Sequence, residues 1–133
     1  MDQLNTTSRR FLLWLYLLNA SVLITHEIDS AYWQEWELFG LPGGIQLFLV
    51  LNFLVVLLIL FGQQALAQGK AAGIVMSWVL VAGGLFAAGI HAYFILAGDL
   101  TFRQPVSISL LGATFVLSLL QGAGLVDASR KTR

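Results

Sequence analysis

The chain has two histidines, and one of them begins a run that is rich in carboxylates. This run is His26-Glu27-Ile28-Asp29, and the second histidine is His91. Imidazole and carboxylate groups together are ligands that suit zinc, iron or manganese. We therefore expect a metal site in which His26 and His91 bind a divalent transition metal, with Asp29 or Glu27 as a further ligand.

The spacing within the run distinguishes its two carboxylates. A zinc-protease helix would carry a second histidine four positions after the first, but position 30 is serine, so that motif is absent. Residues three apart share a helix face, so Asp29 is predicted to be the better partner of His26. Glu27 is predicted to point to a neighbouring helix or to the membrane interface.

Several polar residues fall on the same faces, or at the same depth, as the histidines. Asn19 lies seven positions before His26 and Ser30 lies four after it, so all three share a face of one helix. Gln46 and Ser107 each stand near the start of a later apolar segment. We expect these side chains to line a pocket around the histidines: Asn19, Ser30, Gln46 and Ser107.

A stripe of small residues leads along the chain to His91. Small side chains at helical spacing let two membrane helices approach closely. We therefore expect the stripe to face the helix bundle and to bring His91 into it. Its members are Gly73, Ser77, Gly84 and Ala88.

The composition is that of a membrane protein. Of the 133 residues, 58% are hydrophobic and only 11% are charged, whereas a soluble domain has about a quarter charged residues. A spanning helix needs about 20 apolar residues, and helices are predicted over residues 11–28, 45–67, 71–97 and 105–126. Because the connections are short, successive helices must run antiparallel. The predicted fold is a single all-α domain over residues 1–133, an integral membrane up-down-up-down four-helix bundle.

Charge indicates the orientation of this bundle and excludes some functions. All but one of the basic residues fall on one side, and Arg103 alone falls on the other. Lys and Arg are retained in the cytoplasm, so both termini are predicted to be cytoplasmic in a multi-pass protein of the bacterial inner (plasma) membrane. The net charge is +0, which argues against nucleic-acid binding, and the absence of cysteine excludes disulfides and thiolate metal sites. The basic residues of the cytoplasmic side are Arg9, Arg10, Lys70, Arg130, Lys131 and Arg133.

Aromatic residues are concentrated in residues 29–40, just beyond the first predicted helix. Amphipathic rings favour the headgroup level of a bilayer. The segment is therefore predicted to lie on the outer surface as an interfacial anchor. The alternative is a lid or docking surface over an outer cavity. The aromatic residues are Tyr32, Trp33, Trp36 and Phe39.

The residues leave several functions open. The two histidines could simply satisfy each other's hydrogen bonds, or they could be axial ligands of haem b in a slot formed by Gly84 and Ala88. A non-catalytic accessory subunit of a membrane complex is the main alternative to metal binding. A transport component would need a homo-oligomer, because four helices cannot easily enclose a pathway alone. The few polar groups in the inner half of the bundle argue against a continuous pore. The predicted partners are the lipid bilayer and a second copy or another membrane protein.

The layout resembles a family of small, uncharacterised bacterial four-helix membrane proteins. The resemblance rests on His26-Glu27-Ile28-Asp29, on the Leu41-Pro42-Gly43-Gly44 turn and on His91, and it covers most of the chain. It implies the same topology and draws attention to the His-Glu-Ile-Asp run. It implies no established activity.

Overall fold

The computed structural model describes residues 6–131, and within that range all regular structure is helical. Four of its helices are long and apolar enough to cross a membrane, which confirms the prediction of an all-α chain with four candidate spans. A fifth, short helix lies within the aromatic segment. The helices are α1 (Thr6–Tyr32), α2 (Glu35–Leu38), α3 (Gly44–Ala67), α4 (Ala71–Leu96) and α5 (Pro105–Lys131).

The first and last long helices extend beyond their predicted ranges. The predictions measured apolar length, whereas backbone hydrogen bonds continue through the polar residues at each end of a span. At the end of α1 the backbone N–H of Trp33 still donates to the Asp29 carbonyl, at 3.1 Å. The last turn of α5 contains Arg130 and Lys131, whose charges suit the negative end of the helix dipole. Arg133 lies outside the described residues.

A tight connection joins α3 to α4. The backbone N–H of Lys70 donates to the Ala65 carbonyl at 2.9 Å, and that of Gly69 donates to the Leu66 carbonyl at 3.0 Å. Gly69 has a positive φ of 69°, which glycine adopts without strain. So short a connection makes α3 and α4 antiparallel neighbours.

The interior of the bundle lies mainly between α1, α4 and α5. Helix α1 packs against α5 and α3, and α4 packs against α3 and α5. Only 11% of the most apolar part of α3 is buried, against 33% to 39% for the other three spans, so α3 presents most of its surface to the outside. We call the end of the bundle that carries α2 the outer end, and the end that carries Lys70 the inner end.

The four small residues predicted to mediate helix packing are all buried. Gly73 lies directly against the backbone of Leu66 in α3, so that a Cβ atom there would collide with it. Gly84 likewise lies against the Ser118 hydroxyl of α5. Ser77 donates its hydroxyl hydrogen to the Gly73 carbonyl at 2.7 Å, and Ala88 is the fourth of these residues. The small residues of the stripe therefore allow α4 to pack closely against α3 and α5.

Helix α2 folds over the outer end of the bundle. The chain turns at Gln34, whose backbone is left-handed with φ 55°, and α2 then places Trp36 against Phe48, with ring centroids 5.5 Å apart. Phe39 packs on Phe94 at 5.6 Å, whereas Tyr32 is exposed. The turn at Gln34 thus directs part of residues 29–40 back onto α3 and α4, and the role of the segment as an interfacial anchor stays a prediction.

Candidate metal centre

Two histidines and one glutamate meet at the outer end of the bundle. His26 comes from α1, His91 from α4 and Glu35 from α2, and all three are buried. One ligand atom from each residue lies within 4.8 Å of the others. The two imidazole rings are in edge-to-face contact, with centroids 4.7 Å apart. Such a set of two imidazoles and one carboxylate matches known three-ligand metal sites that keep one position open.

A backbone hydrogen bond determines the orientation of His91. Its Nδ1 lies 2.9 Å from the Ala87 carbonyl, and because a carbonyl can only accept, Nδ1 carries the hydrogen. In the neutral ring, Nε2 then presents its lone pair. That nitrogen lies 3.5 Å from Oε1 of Glu35. Two facing acceptors repel each other unless a cation or a proton lies between them, and a metal ion would satisfy both.

Phenylalanine rings cover the histidine pair. Phe102, in the connection between α4 and α5, is only 2% exposed. Its ring centroid lies 4.4 Å from that of His91 and 6.1 Å from that of His26. Phe39 approaches His91 from α2, at 6.2 Å. Because these rings exclude water, charges in the cluster interact more strongly than they would in an open cleft.

The outer end contains most of the buried side-chain atoms that have no hydrogen-bond partner among the described residues. A buried polar atom without a partner is costly, so natural proteins contain few of them. Their concentration around the histidines indicates a place for a polar ligand. The atoms at this end are His26 Nδ1, Asp29 Oδ2, Ser30 Oγ, Asn52 Oδ1, His91 Nε2 and Ser107 Oγ.

The pairing of α1 with α5 explains why the two serines belong to this group. Asn19 is hydrogen-bonded to Ser118 at 3.1 Å. Ser30 lies eleven positions after Asn19, and Ser107 lies eleven before Ser118. Eleven residues are close to three helical turns, so in antiparallel helices the two serines reach the same level and the same face. Ser30 is also one turn from His26, so both buried hydroxyls belong to the histidine end of the interface.

The structure places the other predicted ligands and pocket residues differently. Asp29 accepts a hydrogen bond from Nε1 of Trp33 at 3.2 Å and is not part of the three-residue cluster. Glu27 is half-buried and lies close enough to Glu35 for their charges to interact. Gln46 is exposed and contributes nothing to the site. Asp29 nevertheless lies close enough to His26 for their charges to interact.

Glu35 is the cluster residue that the sequence analysis missed. It lies between Trp33 and Trp36 in the aromatic segment of residues 29–40. Its approach to His91 depends on the left-handed turn at Gln34 and on the start of α2 directly after it. The available signal was an acidic residue among apolar rings close to the glycine-rich turn that ends at Gly44.

Asn19 belongs to a second polar cluster, deeper in the bundle. Its Nδ2 donates to Oε1 of Gln121 at 2.9 Å and to Oγ of Ser118, and its Oδ1 accepts from the hydroxyl of Thr114 at 3.2 Å. All four residues are fully buried. These side chains satisfy one another across α1 and α5, so the cluster links the two helices.

The family of this chain is shown by a family model that matches residues 12–128 and is described as a family of unknown function, DUF6713. The chain belongs to that family. This agrees with the resemblance to an uncharacterised family of membrane proteins. None of the curated proteins and none of the solved structures matches the chain.

Proposed function

We propose that this protein binds a divalent transition metal ion at the outer end of its bundle, with His26, His91 and Glu35 as ligands. The observation that carries the proposal is the convergence of the three buried side chains from three separate helices, with ligand atoms within 4.8 Å of one another. Two imidazoles and one carboxylate favour zinc, ferrous iron or manganese over calcium or magnesium, which prefer oxygen ligands.

The surroundings support a built site over a chance meeting of side chains. The Ala87 carbonyl accepts a hydrogen bond from the Nδ1–H of His91, and a contact of this kind orients the rings of metal-binding histidines. The hydroxyls of Ser30 and Ser107 are buried nearby without partners. These hydroxyls would hold a water molecule or other small ligand beside the ion.

The geometry disfavours the haem alternative. Axial ligands must stand on opposite sides of a macrocycle, whereas the rings of His26 and His91 touch edge to face. The slot expected at Gly84 and Ala88 is closed at Gly84, which lies against the side chains of Ser118 and Thr114.

We further propose that the protein spans the plasma membrane with its termini in the cytoplasm. The support is the distribution of basic residues: Arg9, Arg10 and Lys70 belong to the inner end together with the end of α5, and Arg103 belongs to the outer end. In this orientation the metal site faces the outside of the cell, and metal would reach it without crossing the hydrocarbon core.

Equilibrium binding of Co²⁺ to the detergent-purified full chain tests the metal site. Cobalt reports its own coordination through visible absorption, and the affinity tag must contain no histidine. We expect one Co²⁺ per chain, displaced by Zn²⁺, and loss of the absorption bands in both His26→Ala and His91→Ala. Folded wild-type protein that binds no stoichiometric Co²⁺ or Zn²⁺ would overturn the proposal and would favour an accessory subunit.

A further inference from the structure

A groove of about 440 Å³ runs between α4 and α5 on the outer half of the bundle. It is lined by apolar residues alone, from Leu85 to Ile95 on α4 and from Ile108 to Phe115 on α5. Each wall of the groove has a glycine, Gly89 on α4 and Gly112 on α5. The space beside both glycines is empty, since an added Cβ would meet nothing within 4 Å. Both glycines are on the outside of the bundle. The groove therefore opens directly to the lipid.

The length of this groove matches one leaflet of a bilayer. Ten helical steps separate Leu85 from Ile95, which at 1.5 Å per residue is about 15 Å. The hydrocarbon core of a membrane is about 30 Å thick, so the groove covers about half of it. It ends at the outer side, where α4 ends. An acyl chain of the outer leaflet has the matching length and apolar character.

A single cation stands at the outer end of the groove. Nη2 of Arg103 donates to the Ile95 carbonyl at 3.5 Å, and Nε donates to the Asp99 carbonyl at 3.2 Å. Ile95 itself lines the groove. No other Lys or Arg occurs between Lys70 and Arg130. A guanidinium has five donors, so the exposed side chain keeps donors for a phosphate, to which its planar fork is well suited.

The nearby Asp99 leaves donors of Arg103 available for a phosphate. The Asp99 carboxylate accepts a hydrogen bond from the backbone N–H of Thr101 at 2.7 Å, so the aspartate is engaged in its own turn. The contact between Arg103 and Asp99 instead uses the Asp99 carbonyl. The guanidinium is thus held in place over the end of α4 by backbone oxygens, beside the mouth of the groove.

We propose that this groove binds one phospholipid of the outer leaflet, with an acyl chain between α4 and α5 and the phosphate at Arg103. The inference does not depend on the metal site. A helix from a second copy could also enter an apolar groove, but it would bring no anion to Arg103. The cation at one end and the leaflet-length apolar surface together favour the lipid.

The glycines provide a substitution that fills the groove without a collision. Gly112→Leu adds a side chain where there is open space. The matched control is Gly83→Leu, which also adds a leucine in open space, but into the groove on the other side of α4, towards α1 and α3. Arg103→Gln removes the cation and keeps a polar side chain. All three variants should fold, because the Cβ added at either glycine meets nothing within 4 Å and Arg103 is exposed.

Native mass spectrometry of the full chain, titrated with dioleoyl phosphatidylglycerol in a delipidating detergent, tests the proposal. We expect one tightly held lipid per wild-type chain. Affinity should fall about tenfold or more in Arg103→Gln, as expected for the loss of a charge-assisted hydrogen bond. It should fall in Gly112→Leu as well, because the leucine fills the groove, and it should be unchanged in Gly83→Leu. Dioleoylglycerol, which has the same chains and no phosphate, should bind more weakly and should not respond to Arg103→Gln.

Three results would overturn the proposal. If Gly83→Leu lowered the affinity for phosphatidylglycerol as much as Gly112→Leu does, lipid would coat the bundle without a specific site. Equal affinity for dioleoylglycerol would show that Arg103 does not recognise the phosphate. A dimer that Gly112→Leu abolishes, with no lipid retained by the wild type, would show that the groove receives a second copy of the chain.

Discussion

The imidazole rings of His26 and His91 meet edge to face, with their planes at 84° and their centroids 4.7 Å apart. They come from α1 and α4, two helices that are separated along the chain by α2 and α3. Neither ring finds a full set of hydrogen-bond partners among the described residues, since His26 Nδ1 and His91 Nε2 are both unpaired. The contact therefore brings two potential metal ligands together, each with one ring nitrogen that no described residue hydrogen-bonds.

Substitution of Glu35 should weaken metal binding, whereas the same substitution of Glu37, also on α2, should leave metal affinity unchanged. Groups that only hydrogen-bond to a metal ligand are worth about 10- to 100-fold in metal affinity, so Glu35→Gln, which replaces a proposed carboxylate ligand, should lower Co²⁺ affinity more than about tenfold. Glu37→Gln is the matched control, because Glu37 is exposed and its carboxylate accepts a hydrogen bond from Trp36. Equal affinities of the two variants, measured by cobalt absorption, would remove Glu35 from the site.

Truncation of Asn19 should destabilise the bundle without affecting the metal site. Asn19→Ala leaves Gln121, Ser118 and Thr114 without a shared partner in a buried position. Hydrogen bonds between membrane helices are worth about 0.6 to 1.7 kcal/mol, so we expect a loss of about 1–3 kcal/mol in the free energy of unfolding. Unfolding in mixed detergent micelles measures it. Ser109→Ala is the control, since that exposed hydroxyl bonds only within its own helix, and equal stability of both variants would contradict the prediction.

Substitution by alanine should have different effects on stability at two glycines of α4. Gly73→Ala places a Cβ against the backbone of Leu66, which cannot move aside easily. Overpacking of this kind costs about 1–3 kcal/mol. Gly83→Ala places a Cβ in open space and should be neutral or slightly stabilising, because alanine favours the helix. Thermal unfolding of the two variants beside the wild type compares them, and a stable Gly73→Ala would mean that α3 and α4 are less closely packed.

The connection between α4 and α5 should weaken in acid. Hydrogen bonds from the Thr101 side chain and backbone hold the pKa of Asp99 below its ordinary value, and Arg103 adds to the effect. Because the pKa in the folded state is depressed, these contacts stabilise the turn above the ordinary pKa, near pH 4. Their contribution is lost as the pH falls through the folded pKa. The Asp99 turn should therefore be fully formed at neutral pH.

NMR of the Thr101 amide follows this titration directly. Its chemical shift should change with a midpoint below the ordinary aspartate pKa, and Asp99→Asn should abolish the change while keeping an oxygen acceptor for the amide. A titration midpoint equal to the ordinary pKa of aspartate would show that the hydrogen bond to Asp99 adds no stability.

The sequence by itself determined the spans and the faces of the helices. Apolar length is a local property, and four segments have enough of it to span a membrane, as the structure confirms. Helical periodicity is local too, so the placement of Asn19, His26 and Ser30 on one face of α1 followed from spacing alone. The structure buries all three residues.

The tertiary structure decided which faces meet and where the chain reverses direction. Periodicity relates residues three, four or seven apart, but it contains no information on which helix lies opposite. The contact of His26 with His91 therefore depends on the packing of α1 with α4. Glu35 became the third member of the cluster, and Gln46 was left outside it, because the left-handed turn at Gln34 and the contact of Trp36 with Phe48 set the position of α2. Those contacts join residues distant in the chain, and no local pattern specifies them.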